Sequence, residues 1–205
     1  MKLIRCFSIF IFTFSFSFNQ AQDPPANNAY STATALSVQT GSCSSLTQGD
    51  LTHATNTNNS DFSLACIVEG FYGKPAYADV WYKATVPASG RLAVETFSVT
   101  NSELFSTILT AFTLSGDTLT EIACSYNKPG NSYFAALELT EQTAGTEIYF
   151  MVVDGDQIDY NNAKTLGPFD ICAYEPPGPP ANNAYSTATA LSVQAGSCSS
   201  PTQGT

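Results

Sequence analysis

Apolar and polar residues alternate with a period of two along most of this chain, and helical periodicity is absent after the first twenty residues. The clearest run is Ala78 to Val86. There Val80, Tyr82, Ala84 and Val86 alternate with Asp79, Trp81, Lys83 and Thr85, and the run stops at Pro87 before a Ser89-Gly90 turn. The same reading predicts strands over 35–39, 91–99, 107–115, 118–125, 133–140, 146–154 and 168–174. Gly116-Asp117 separates two of them by only two residues, which predicts a tight hairpin. Ile148 to Val153 is apolar on both faces and is expected to be a central strand.

These runs are rich in Thr, Val, Tyr and Phe and are joined by short turns. They predict an all-β chain with minimal helix, an antiparallel β-sandwich or jelly roll of about eight strands. The polar stretch 44–77 is the least regular, and its Asn-rich segment 55–60 is expected to be a surface loop.

The two ends change the picture. Lys2 and Arg5 precede an uncharged apolar run from Cys6 to Phe18, and Asn19-Gln20-Ala21 offers a cleavage site, so residues 1–21 are read as a signal peptide. The run is shorter than the about 20 apolar residues a spanning helix needs. No later segment is long and apolar enough to span, so the mature chain is expected to be secreted or cell-surface.

Residues 23–50 return at 178–205 with four differences, Asp23/Gly178, Thr40/Ala195, Leu46/Pro201 and Asp50/Thr205. The offset of 155 marks a repeated module. It divides the chain into a first repeat over 24–174, a Pro-rich linker over 175–180 and the start of a second repeat over 181–205. A domain rarely ends inside its own first strand, so further repeats are expected in the same polypeptide. The linker, Glu175-Pro-Pro-Gly-Pro-Pro180, is a semi-rigid extended spacer.

Charge and cysteine content then narrow the function. Without Lys2 and Arg5 the chain keeps five basic residues (7 − 2) against seventeen acidic ones, a net charge of −12. That excludes a nucleic-acid partner, which requires a basic footprint. The complete repeat holds Cys43, Cys66, Cys124 and Cys172. An even number in an exported chain predicts two disulfides. Four cysteines allow three pairings; Cys43–Cys66 with Cys124–Cys172, consecutive in the chain, is the expected one.

The segment Asp79-Val-Trp-Tyr-Lys-Ala-Thr-Val-Pro-Ala-Ser-Gly90 resembles a strand-and-turn pattern found in repeats of bacterial proteins exported by the type IX secretion system. Other motifs follow in the same order: Pro25 to Asn28, Ala35-Leu36, Gly41 to Cys43, Leu119 to Cys124, Ala144 to Tyr149 and Phe169 to Cys172. Together they span nearly all of 24–174 and are similar to the bacterial pre-peptidase C-terminal domain. The resemblance implies a small β-sandwich appended to secreted enzymes or strung in adhesin-like arrays. It brings no catalytic residues with it.

Candidate chemistry is sparse. His53 is the single His and lies in a polar loop, and no nucleophile or metalloprotease motif is present. Trp81, Tyr72, Tyr77 and Tyr126 are the candidate ligand-binding aromatics, as stacking platforms for an extracellular glycan or anchors for a protein ligand; for Trp81 the favoured reading is packing in or beside the core, although its neighbours in alternation, Asp79 and Lys83, point to a face away from it. Asp154, Asp156 and Asp159 form an acidic loop and are the candidate calcium ligands, although their spacing does not match an EF-hand loop. No other cofactor is expected. The resulting expectation is a non-catalytic module acting in adhesion, spacing or ligand binding. The alternative is an accessory, carbohydrate-binding or pre-peptidase C-terminal-like domain of a larger secreted hydrolase.

Overall fold

The computed structural model describes residues 23–56, 78–126, 133–155, 166–180, 182–183 and 185–190. Ten strands are present: β1 (Thr34–Ala35), β2 (Val38–Thr40), β3 (Thr47–Asp50), β4 (Asp79–Thr85), β5 (Leu92–Ser98), β6 (Thr107–Ser115), β7 (Thr118–Ser125), β8 (Ala136–Leu139), β9 (Glu147–Asp154) and β10 (Pro168–Glu175). The helical residues described are two 3-10 turns, Tyr30–Thr32 and Tyr185–Thr187. The all-β expectation holds, with strands from β4 onward where the alternation predicts them.

The strands form two sheets. The first has the order β1-β4-β9-β6-β7, and the second β2-β10-β5-β8 with β3 also on β10. β9 lies between β4 and β6 (Trp81↔Met151, Thr110↔Met151), which is why its sequence is apolar on both faces. Gly116 takes φ 59° in the β6–β7 turn, a left-handed conformation that glycine adopts without steric cost.

Two features depart from the expected antiparallel architecture. β1 pairs parallel with β4, and β2 pairs parallel with β10, so both sheets are mixed. The predicted strand over 35–39 is in fact two short edge strands, because Leu36 turns inward between them. Its side chain is buried while its N–H donates to the Lys83 carbonyl at 2.8 Å. Residues 25–40 thus form a strap that leaves the edge of one sheet and joins the edge of the other. β3 falls in the polar stretch 44–77, for which the alternation predicts no strand. Of its residues only Gly49 is buried, so it carries no alternating signal and exists through its pairing with β10 (Thr47↔Ile171 to Asp50↔Pro168).

The core between the sheets is built from Val80, Tyr82, Ala84, Leu109, Phe150 and Val152 on one side and Leu92, Val94, Phe169, Ile171 and Ala173 on the other. Gly49 lies under Tyr82 and Phe169, whose rings meet edge-on at 6.2 Å. A Cβ there would run into the Tyr82 hydroxyl and the Phe169 ring.

The disulfide pairing also differs from expectation. Cys43 is bonded to Cys172, with Cα atoms 6.0 Å apart, across 129 positions of sequence. The cause is the register of β10. β2 runs along its residues 173–175 and β3 along 168–171, so the turn between β2 and β3 passes Cys172. Gln39 holds that turn together, its side-chain carbonyl accepting from the backbone N–H groups of Ser44 and Ser45 at 2.7 Å. In the loop-entropy model such a bridge contributes about 5 kcal/mol. Cys124 is disulfide-bonded as well, and therefore not to Cys172; Cys66 lies outside the described residues.

Candidate functional site

Of the predicted binding and metal residues, Trp81, Tyr126 and Asp154 are among those described. Trp81 is fully buried and is not a surface platform. Alternation does turn it away from Val80 and Tyr82, but the face it points to is also covered. Trp81 packs there with Ile108, Phe112, Leu119, Met151 and Val153 as a second apolar cluster, with Tyr30 and Ala33 of the strap against it. The Tyr30 and Phe112 rings lie 6.0 and 5.5 Å from the indole. The indole N–H donates to Asp79 Oδ1 at 2.8 Å, which gives the one polar atom of the ring its partner inside the cluster.

The aspartates of the predicted acidic loop are only partly visible. Asp154 ends β9 and is buried. Asp156 and Asp159 fall outside the described residues, as do Tyr72 and Tyr77. Among the described residues no three His, Cys, Asp or Glu side chains are grouped as metal ligands.

Tyr126 follows the last residue of β7 and is 59% exposed. Two aromatic residues that the alternation did not single out stand at the same end of the first sheet, Phe105 just before β6 and Tyr133 just before β8. They are 50% and 49% exposed, and their rings are in contact, with centroids 4.3 Å apart and planes inclined by 54°.

A buried polar knot fixes this pair. The Thr96 and Thr107 hydroxyls are hydrogen-bonded at 2.6 Å, and the Ala135 N–H donates to both, at 3.0 and 3.1 Å. Thr96 returns two bonds to the Ala135 carbonyl, and the Thr107 N–H donates to the carbonyl of Tyr133 itself at 2.9 Å. On the Phe105 side, Ser102 donates to the Pro168 carbonyl at 2.6 Å and accepts from the Leu104 N–H. Leu104 is buried, so its neighbour Phe105 is turned outward. Two half-exposed rings on backbone anchored in this way form a rigid apolar contact point on an acidic chain. Such a surface can cover the apolar face of a sugar or an apolar side chain.

No known family model and no curated protein matches this chain. Among the described residues, no helix is long and apolar enough to cross a membrane.

Proposed function

We propose that residues 24–174 are a non-catalytic repeat module of an exported, cell-surface bacterial protein, acting in adhesion, spacing or ligand binding. The recurrence of 23–50 at 178–205 across a Pro-rich linker carries this reading. A unit copied with a fixed period and joined by stiff spacers is built to be strung along a line. A disulfide that ties the strap to β10 suits an oxidising compartment. The resemblance of 79–90 to repeats of type IX-secreted proteins points the same way.

The contact surface in this reading is the loop end bearing Phe105, Tyr133 and Tyr126, and its ligand is an extracellular glycan. The acidic chain favours a neutral or cationic saccharide over an anionic one. The test is a glycan-array screen of the full chain beside Phe105→Ala and Tyr133→Ala. Saccharide binding that falls at least tenfold in both variants, with the melting temperature unchanged, supports the reading. An array without a hit, or binding indifferent to both substitutions, overturns the glycan assignment.

A further inference from the structure

A module in such an array is entered through its strap and left through β10, because the strap sequence returns immediately after the Pro-rich linker that follows β10. Tension along the array therefore reaches the module at those two segments. Pro25 begins the strap, and Glu175 lies opposite Thr40 at its far end, so the two loads pull along the strap in opposite directions.

Two parallel ladders lie in that path, β1 on β4 (Thr34↔Tyr82, Ala35↔Lys83) and β2 on β10 (Val38↔Ala173 to Thr40↔Glu175). The bonds of a parallel ladder are evenly spaced and slanted. A strand drawn backwards by its N-terminal end slides against such a partner, so the bonds are loaded together rather than opened one after another. Side chains of the strap resist the same slide. Asn27 accepts from the Trp81 N–H at 2.8 Å and returns its side-chain amide to the Trp81 carbonyl at 3.0 Å. Asn28 donates to Thr55 Oγ1 at 2.7 Å and accepts from the Thr55 N–H at 2.8 Å. Tyr30 meets the Trp81 ring edge-on, and Leu36 is buried.

Behind the strap the load path is covalent. Tension that reaches Cys43 crosses the disulfide to Cys172 and leaves through Ala173–Glu175, so the 129 steps of chain between the two cysteines carry none of it. β3 to β9 lie inside that closed loop, and so do Phe105, Tyr126 and Tyr133.

We infer that the module is a tension-bearing link, in which the strap is a clamp loaded in shear and the Cys43–Cys172 bridge is the stop behind it. The bridge keeps the core and its aromatic contact face folded when the strap gives way. This rests on the reading of the chain as one module of an exported array and adds a mechanical role to it.

Single-molecule stretching of the full chain, oxidised and held by handles at its two termini, tests this. The bridge limits the length released to the chain from Pro25 to Cys43 and from Cys172 to Glu175, at most about 75 Å at ~3.6 Å per residue. One discrete rise of that size or less is expected, with none longer at any load short of breaking a covalent bond. Cys43→Ser/Cys172→Ser, stretched in reductant so that the bridge of Cys124 is open as well, should release the core too. That adds 129 steps, or about 430–460 Å. Forced opening follows the unfolding rate, so at a fixed load Leu36→Ala should release the strap about tenfold faster, with the length of the rise unchanged. A longer rise in the oxidised, unsubstituted chain overturns the inference, as does gradual lengthening at low load without a discrete rise. A Leu36→Ala strap that leaves at the unsubstituted rate also overturns it. Should either variant not fold, the unsubstituted chain decides alone. A chain that stretches as described but finds no saccharide on the array keeps its mechanical role and loses only the glycan assignment.

Discussion

The two sheets present outer faces that are stabilised in opposite ways. On the β4–β9–β6 sheet the outward side chains are Trp81, Met151, Val153, Ile108 and Phe112, an apolar cluster against which the strap lays Tyr30 and Ala33. On the β10–β5 sheet the outward positions hold Cys172, Tyr174, Glu95 and, at the β5–β8 edge, Arg91 and Glu138. That face is held by a disulfide, by the Tyr174 hydroxyl donating to Glu95 at 2.6 Å and by an Arg91–Glu138 ion pair. One strap serves both faces. Its first half covers the apolar face through Asn27 and Tyr30, and the chain just beyond its second half is covalently fixed to the polar one. A short segment with only one fully buried apolar side chain can thus hold two sheets together, because each end of it is fixed by a different kind of bond.

The largest test of this contrast is Trp81→Ala. Removing a fully buried indole from the apolar face should cost about 3–5 kcal/mol, read as a loss of denaturation midpoint at unchanged slope. The strap should loosen with it, detected as faster amide exchange at Leu36, whose N–H bonds the Lys83 carbonyl on the same strand. A variant that loses less than 1 kcal/mol would show that this outer face is not a second core.

Alkaline titration sharpens the comparison between deep and shallow tyrosines. Burial pushes the Tyr82 phenol up to about 12, against hydrogen bonding from Asn27, which lowers it. Tyr174 is also raised, first by burial and then by its bond to Glu95. In both, folding favours the neutral phenol. Their contribution is complete below pH 10, the value in the unfolded chain, and is lost as pH rises through the folded-state values. For Tyr82 this amounts to on the order of 3 kcal/mol. Stability should therefore fall steeply between pH 10 and 12, and Tyr82→Phe should flatten that fall more than Tyr174→Phe, whose partly exposed hydroxyl is screened by solvent. An equal response from the two variants would contradict the difference in their burial.

How much of this was legible in the sequence depends on whether the information is local. The alternation in Ala78–Val86 placed Trp81 on the opposite face from Tyr82, which is correct, because side-chain direction is a property of the strand itself. What covers a face is not. The cover comes from Asn27 and Tyr30, more than fifty positions away, so the packing favoured for Trp81 is borne out, but its partners cannot be read from Asp79 and Lys83 on either side of it. The cysteine pairing failed for a related reason. Chain order favoured neighbours, whereas Cys43 meets Cys172 because β2 and β3 share one edge of β10. Phe105 precedes the strand predicted over 107–115 and Tyr133 opens the one predicted over 133–140, and only the Thr96–Thr107–Ala135 knot brings the two together. The repeat, by contrast, was fully visible, since identity at a fixed offset needs no structure to be seen.

The smallest expected effect belongs to the polar face. Arg91 Nη2 lies 2.6 Å from Glu138 Oε1, joining β5 to the edge strand β8. The Glu138 side chain is about half exposed, at 49%, so water and salt compete for the carboxylate. Exposed pairs of this kind contribute ~0.2–1 kcal/mol. Glu138→Gln keeps the size and a hydrogen-bond acceptor while removing the charge, so its cost should sit at the low end of that range and should vanish in 1 M salt. The corresponding pair on the apolar-faced sheet, Lys83 with Glu147 at 3.0 Å, joins β4 to β9 and should respond to salt in the same direction. A salt-independent loss on Glu138→Gln would mean that the side chain holds β8 by shape rather than charge, and the polar face would then resemble the apolar one more than its residues suggest.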